Sequence, residues 1–168
     1  EERPENVAQE MINNLPADLL RAGRAREYKH IEELKVIERV WRKDYNPKDV
    51  ISTMWLDNMK GKEVRSRLVV RDFKKGKPRE DIYAATPDAA CLRVLFCIAS
   101  YYALDAITAD VTCAFTHADT DEEKDIVVEP PPDYGEPPEI LWPLRKGMNG
   151  IRKDPKLWQY YFEKVMAE

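Results

Sequence analysis

The chain has 168 residues, which is enough for one domain with a hydrophobic core. Apolar residues make up 43% of it and charged residues 35%. The longest apolar run, from Val94 to Ala99, is far too short to cross a bilayer, so we expect no membrane span. The net charge of −4 by itself gives no sign of a nucleic-acid partner.

The cysteines and the N-terminal residues give two indications of the cellular compartment of the protein. Cys91, Cys97 and Cys113 lie in apolar surroundings, at spacings unlike those of metal-binding pairs, and their odd number argues against a closed disulfide framework. We expect three buried, reduced thiols. The first residues lack the basic and apolar regions of a secretory signal. An intracellular location is therefore favoured, and the compartment stays open.

The first part of the chain is predicted to be an arm followed by a helix. Residues 1–26 are polar and interrupted by prolines, which is typical of an arm that is helical in parts. From Arg21 to Glu38, apolar residues recur at helical spacing, and this pattern predicts an amphipathic helix packed by one face. The residues of that face are Tyr28, Ile31, Leu34 and Ile37.

A β-hairpin is predicted next. Residues 50–55 and 64–70 have strand-like patterns and are joined around a turn at 60–62 that contains Gly61. In the second strand, alternation places one set of side chains on each face. The first set is Val64, Ser66, Leu68 and Val70, and the second is Arg65, Arg67, Val69 and Arg71. Arginines on a rigid strand can bind phosphate through two parallel hydrogen bonds.

The same region carries a concentration of positive charge. Residues 60–80 contain nine basic and three acidic residues. Such a block suits a polyanion. It equally suits a solvated hairpin whose lysines prevent an edge strand from pairing, and the composition does not separate the two interpretations.

A helix and a strand are predicted after the basic block. Thr86 is a candidate N-cap and Pro87 a first helical residue, and the following residues are apolar on nearly every side, which predicts a buried helix. Ile107 to Val111 then alternates like a strand that projects Asp110 away from a core. On a rigid strand this carboxylate could bind a metal ion. The alternative is a solvated or turn-terminating aspartate.

The last third is predicted to be a solvated loop and a helix. Residues 119–139 hold nine acidic residues and five prolines, which indicates an extended acidic loop. A short apolar segment and a basic turn from Arg145 to Lys153 follow. Asp154 then caps a final helix with Pro155 at its first position. The order of elements predicts an α+β domain with antiparallel strands and packed helices.

Five segments of this chain, in order, resemble the motifs of one family. VRSRLV (64–69) is similar to Tyr-Lys-Ala-Arg-Leu-Val, and YAATPDAACLR (83–93) to a Thr-Phe-(Ala/Ser)-Pro-Val segment leading to an Ile-Arg helix. DVTCAF (110–115) matches Asp-Val-x-x-Ala-Phe, and HADTDE (117–122) stands where Asn-Gly-x-Leu-x-Glu is usual. LRKGMNGIRKDPKLW (144–158) is similar to Leu-x-Lys-Ala-Leu-Tyr-Gly-Leu-Lys-Gln-x-Pro-x-x-Trp. The chain thus resembles the copia-type retrotransposon reverse transcriptase.

The resemblance implies a fold and a metal site. Residues 27–168 would be an incomplete reverse-transcriptase domain, with part of the fingers and palm. Asp110 would be the first catalytic carboxylate and a ligand of Mg²⁺, with the Val111 carbonyl as a second contact. Arg65 and Arg67 would bind the triphosphate, with Arg67 the stronger candidate. Phe115 would lie beneath the incoming sugar and disfavour a 2′-hydroxyl.

The resemblance also implies contacts to nucleic acid. Asn149 and Gly150 would lie along the nucleotide or the template. Basic residues would bind the phosphates of an RNA or DNA primer-template. These are Lys60, Arg71, Lys74, Lys75, Arg152 and Lys153.

The chain departs from the family pattern in two ways. Thr116, Asn149 and Lys153 stand where Leu, Tyr and Gln are usual, and the Tyr-x-Asp-Asp hairpin that supplies two further carboxylates does not occur in these 168 residues. We therefore expect this polypeptide alone not to polymerise DNA, and a partner chain to cover its exposed apolar surface. The alternative function is a domesticated, non-catalytic structural or binding subunit.

Overall fold

The computed structural model describes residues 15–73, 84, 87–120 and 126–168. Its helices are α1 (Ala17–Glu33), α2 (Ala89–Tyr101) and α3 (Asp154–Ala167). Its strands are β1 (Val40–Trp41), β2 (Val50–Ile51), β3 (Thr53–Lys60), β4 (Glu63–Val70), β5 (Ile126–Val128) and β6 (Ile140–Leu144). Helices and mainly antiparallel strands confirm the α+β class.

The strands form two sheets. β3 and β4 make an antiparallel hairpin, and β1, β6, β5 and β2 lie side by side in that order. Within the larger sheet β2 pairs with β5 in parallel, which the prediction of antiparallel strands did not include. The other two pairs, β1 with β6 and β5 with β6, are antiparallel.

The hairpin has the predicted two-faced pattern. Lys60 pairs with Glu63 across a two-residue turn, and Gly61 takes a φ of +64°, which glycine adopts without steric cost. Val64, Leu68 and Val70 are buried, whereas the arginines between them are exposed. Alternation along a pleated strand separates the two sets.

Helix α1 covers the buried face of the hairpin. It is amphipathic as predicted, although it begins at Ala17 rather than Arg21 and ends at Glu33 rather than Glu38. A Cβ atom at Gly23 would lie 2.6 Å from the Val64 carbonyl oxygen, so helix and strand can approach this closely only where the helix has no side chain. The arm expected at residues 1–26 lies partly outside the described residues, and α1 runs across its expected boundary.

The core lies between α1, β4 and the larger sheet. Its buried residues include Leu68 of the hairpin together with Trp142 and Leu144 of β6. Ile37, predicted on the helix face, is also buried, but it lies beyond the end of α1 and bridges to Leu144.

The described part of the acidic proline segment, residues 126–139, is part of this fold, which corrects the expectation of a solvated loop there; residues 121–125 lie outside the described residues. Val127 and Val128 are buried in β5. Asp133, in a short 3₁₀ turn, accepts hydrogen bonds from Arg24, the Tyr28 hydroxyl and the Trp55 indole. Burial alone would raise the pKa of Asp133, but these three donors outweigh it and lower the pKa. The turn is thereby joined to α1 and β3.

The prediction of a buried helix before Asp110 was wrong. All thirteen residues of α2 are described, and none is buried. Phe96 is 63% exposed and Leu95 60%. The N-cap is Asp88, whose side chain accepts from the Ala90 amide, so the helix begins two residues later than Thr86–Pro87 predicts. Cys91 and Cys97 of this helix and Cys113 are free but exposed, contrary to the expectation of buried thiols.

The strand expected around Asp110 is also absent from the described structure. Residues 104–111 have irregular backbone, and Ile107 is 92% exposed. A strand needs a hydrogen-bonded neighbour, and within the described ranges no strand pairs with this segment.

Helix α3 confirms the last predicted helix but not its cap. Asp154 is its first residue, and its carboxylate accepts from the Met148 amide at 2.6 Å instead of capping α3. Phe162 and Val165 of its apolar face are 45% and 47% exposed. No helix among the described residues is long and apolar enough to span a membrane.

Candidate functional site

An open cleft of about 860 Å³ lies between strand β4 and the segment 110–116. Helix α1 and the turn 147–150 contribute further walls. Residues predicted from the sequence to contact a nucleotide or a metal ion are prominent in its lining. They are Arg65, Arg67, Asp110, Val111, Phe115 and Asn149.

One wall is formed by strand β4, from Glu63 to Arg67. Arg65 lies opposite Asn58 and Arg67 opposite Leu56 in the antiparallel register. Because Ser66 between them is buried, the two guanidinium groups share the opposite face of β4. Two guanidinium groups on one strand face make this wall positively charged.

The opposite wall is an irregular loop ending in the 3₁₀ turn Ala114–His117. Cys113 precedes this turn with a φ of +52°, a left-handed conformation that non-glycine residues adopt only at a cost. Both the amide and the hydroxyl of Thr116 donate to the Cys113 carbonyl, at 3.0 and 2.8 Å. Phe115 is half-buried between these tethers.

A glycine-containing turn joins the two walls. The Val70 amide donates to the Asn149 carbonyl at 2.8 Å, which fixes the turn to the end of β4. Gly150 has a φ of +95°, and a Cβ atom there would overlap the Val70 carbonyl oxygen. A Cβ atom at Gly147 would lie 2.5 Å from the Phe115 carbonyl oxygen. Only glycine permits the turn to touch both walls.

The buried carboxylate of Asp154 binds the backbone of this turn. Its side chain is 1% exposed and accepts from the Met148 amide, while its second oxygen, Oδ1, has no hydrogen-bond partner among the described residues. Burial raises the pKa of Asp154 to about 8, and the nearby Asp72 carboxylate adds to the rise. The sequence indicated only a helix cap, because Asp before Pro is a common cap signal.

Helix α1 contributes a wall that the sequence did not predict. Glu27 and His30 line the cleft. Glu27 accepts from the Leu68 amide at 3.1 Å. Burial raises the pKa of Glu27, and the hydrogen bond, His30, Arg67 and Arg65 act in the opposite direction. The helical periodicity predicted an amphipathic α1, but it did not predict that Glu27 and His30 would line this cleft.

Comparison with known proteins gives the family. The model of the family described as reverse transcriptase (RNA-dependent DNA polymerase) matches residues 38–168, well over half of the chain. The chain belongs to the reverse transcriptase family. The Retrovirus-related Pol polyprotein from transposon TNT 1-94 of Nicotiana tabacum is 28% identical over 106 residues. That match supports the copia-type assignment. No solved structure matches the chain.

The reverse transcriptase match covers only part of the known relative. It spans 61% of this chain and 8% of the tobacco polyprotein. The family model matches from residue 38 onward, so α1 lies before the region that it covers, whereas the motif resemblance predicts a domain that begins at Glu27. The predicted domain limits of 27–168 remain a prediction.

The basic residues expected on nucleic acid are spread over this reverse transcriptase segment. Lys60 lines the cleft. The guanidinium of Arg71 lies over the Phe73 ring at 5.3 Å, and the Arg152 amide donates to Asp72. Lys153 stands at the start of α3. Lys74 and Lys75 lie outside the described residues. Gly150 does not line the cleft, because it is packed against Val69 and Val70.

The carboxylates of the cleft give an incomplete metal site. Across the parts of the chain that the structure describes, no three His, Cys, Asp or Glu side chains are grouped as metal ligands. Asp110 reaches the cleft with the Val111 backbone beside it. One carboxylate and one carbonyl fit two of the six oxygen positions that Mg²⁺ requires. Water or other groups would have to supply the remaining positions.

Proposed function

We propose that this chain forms the fingers and the first part of the palm of a copia-type RNA-directed DNA polymerase, and that the cleft is part of its deoxynucleotide site. The observation that carries the proposal is the placement of Arg65 and Arg67 across one cleft from Asp110. A triphosphate with its Mg²⁺ needs cationic donors on one side and carboxylate oxygens on the other.

Each cleft residue has a part in this proposal. Arg67 and Arg65 bind the triphosphate oxygens, since a guanidinium matches phosphate geometry with two donors. Asp110 and the Val111 carbonyl would hold Mg²⁺, and the chemistry that this ion would supply is neutralisation of the phosphates and activation of the attacking hydroxyl. Phe115 packs under the sugar and leaves no room for a 2′-hydroxyl. Asn149 closes the cleft along the nucleotide or template.

Nucleotide binding can be measured on the chain itself. In an NMR titration with dATP and Mg²⁺, we expect shifts at the amides of Arg67, Asp110 and Phe115. Arg67→Gln should weaken binding about tenfold, because a charge-assisted hydrogen bond is lost. The matched control is Lys48→Gln, an exposed lysine outside the cleft lining. If both variants weaken dATP binding equally, the binding depends on overall positive charge, and a specific role of the arginine pair is refuted.

Catalysis by this polypeptide alone is not part of the proposal. Two-metal nucleotidyl transfer needs more carboxylates than Asp110 provides, and no Tyr-x-Asp-Asp motif occurs in the sequence. Incubation with a primed RNA template, deoxynucleotides and Mg²⁺ or Mn²⁺ should give no primer extension. Template-dependent extension would sink the claim of inactivity.

Binding of primer-template nucleic acid is a separate part of the proposal. The basic residues 60–79 and the pair Arg152 and Lys153 would contact backbone phosphates without reading sequence. Each contact between a basic side chain and a phosphate releases about one counterion from the nucleic acid, and added salt opposes that release. Affinity for a primed RNA–DNA duplex should therefore fall steeply between about 50 and 200 mM salt. An affinity unchanged by salt would count against this binding mode.

A non-catalytic subunit is the second candidate function. The observation that favours it is α2, whose apolar residues are exposed along its whole length. Such a surface is typical of an element that another chain covers. Sedimentation of the purified protein would test this, since a well-folded monomer that stays monomeric at high concentration contradicts the need for a partner.

A further inference from the structure

We propose that His117 is a positioning residue of the cleft. Its ring holds the Thr112 carbonyl and fastens the loop 110–116 to helix α3, so that Asp110, Val111 and Phe115 keep their places. The proposal rests on the proposed function of that loop as a nucleotide-binding wall. It concerns a residue that touches neither nucleotide nor metal.

The loop needs such a tether because it contains a strained residue. Cys113 has left-handed backbone with a φ of +52° and no glycine to relieve it. Hydrogen bonds secure the chain on both sides of that residue. Thr116 binds the Cys113 carbonyl, and His117 Nε2 lies 3.2 Å from the Thr112 carbonyl oxygen. The second bond restrains the backbone immediately after Asp110 and Val111.

The same imidazole ring is anchored on α3. Its centroid lies 6.5 Å from the centroids of both Trp158 and Tyr161, and it is inclined by only 23° to the Tyr161 ring. One side chain thus combines a hydrogen bond to the loop with ring contacts to a helix. Asparagine, which the family pattern has at this place, offers an amide but no ring.

The hydrogen bond sets a requirement on the ring. Nε2 can donate to the Thr112 carbonyl only if it carries a proton, which is true of the neutral Nε2–H tautomer and of the imidazolium. Both charge states therefore support the tether.

Two substitutions separate the hydrogen bond from the ring contacts. His117→Phe keeps an aromatic ring against Trp158 and Tyr161 but removes the donor. His117→Gln keeps an N–H donor near the position of Nε2 but removes the ring. If the hydrogen bond positions the loop, the glutamine variant should retain most of the wild-type behaviour and the phenylalanine variant should not.

The thiol of Cys113 reports the state of the loop without any ligand. Cys113 is exposed and lines the cleft within the strained loop, so release of the loop should change the surroundings of its thiol and raise its rate of alkylation. Iodoacetamide labelling resolved by peptide mass is the measurement. We expect about fivefold faster labelling of Cys113 in His117→Phe, the effect of losing one net hydrogen bond. Cys91 and Cys97, on α2, are the internal controls.

A second readout concerns the metal side of the cleft. Mn²⁺ at millimolar concentration should broaden the amide signals of Asp110 and Val111 in the wild type, and His117→Phe should weaken this effect while His117→Gln restores it. Unchanged Cys113 labelling in His117→Phe, or equal labelling in both variants, overturns the positioning role. Altered labelling with no Mn²⁺ effect even in the wild type would instead refute the metal site and leave the His117 proposal standing.

Discussion

Strand β6 and helix α2 are both apolar segments, but they differ sharply in how much of their surface is buried. In strand β6, Leu141, Trp142 and Leu144 are all 0% exposed. Helix α2 is also apolar over most of its length, yet Leu95 and Phe96 are more than half exposed. The comparison shows that an apolar segment gains free energy when it is buried, but that it becomes buried only where other parts of the protein pack against it.

The largest expected effect contrasts two leucines. Leu144→Ala removes a side chain with 0% exposure, and Leu95→Ala removes one with 60%. We expect the first to lower the free energy of unfolding by about 3 kcal/mol and the second by less than about 0.5 kcal/mol. Urea unfolding of both variants measures the difference. A comparable cost at Leu95 would show that α2 is covered in solution and would remove the contrast.

The next effect concerns a glycine in the packed region. Gly150→Ala places a Cβ atom against the Val70 carbonyl oxygen at a φ of +95°. Gly135→Ala has a φ of +85° but open space around it, so it isolates the backbone cost of about 1 kcal/mol. We expect Gly150→Ala to cost about 2 kcal/mol more than its control. Equal unfolding energies for the two variants would mean that the turn does not press on β4.

The buried Asp154 predicts a pH dependence of stability. Its pKa is raised by burial to about 8, so the folded state binds a proton more tightly than the unfolded state. This stabilisation is present at low pH and is lost as the pH rises from about 4 to about 8, with a slope of at most about 1.4 kcal/mol per pH unit. The difference in unfolding energy between wild type and Asp154→Asn should follow that slope. A difference constant over pH 5 to 8 contradicts it.

The smallest effect on stability should accompany a clear effect on solubility. Leu95→Lys places a charge on the exposed surface of α2, where it disturbs no described packing. We expect the unfolding free energy to stay within about 0.5 kcal/mol while light scattering at high concentration decreases. Leu92→Lys, on the same helix and 50% exposed, is the companion variant. Unfolding of either variant would place α2 in the core.

Local patterns predicted local structure well. The alternation of Val64, Ser66 and Leu68 with arginines predicted the two faces of the second hairpin strand, because successive side chains of a pleated strand point to opposite sides. The periodicity of α1 likewise predicted a one-sided helix. The start of α2 was misplaced because Thr86 and Asp88 are both acceptable caps in the sequence. The structure shows the Asp88 side chain accepting from the Ala90 amide, whereas Thr86 lies outside the described residues.

Non-local features were harder to predict. The alternation around Asp110 indicated a strand, but alternation cannot supply the neighbouring strand that would complete its hydrogen bonds. The proline segment was expected to be solvated, and Asp133 binds three donors from distant elements. Asp154 was expected to cap a helix, and it supports the turn of Met148 instead. The hydrogen bonds of Asp133 join residues far apart in the chain, which local sequence patterns do not predict. Asp154 had two possible partners nearby in the chain, and its local sequence did not show which amide it would bind.

The sequence by itself determined the family and the candidate residues, because motif order and strand periodicity are local properties. The family match then confirmed the reverse transcriptase assignment. Only the tertiary structure decided that Arg67, Asp110 and Asn149 line one cleft, and that Glu27 and His30 of α1 join them. It also decided that α2 is exposed. The physical reason is that burial and convergence depend on packing between distant segments, which no single segment encodes.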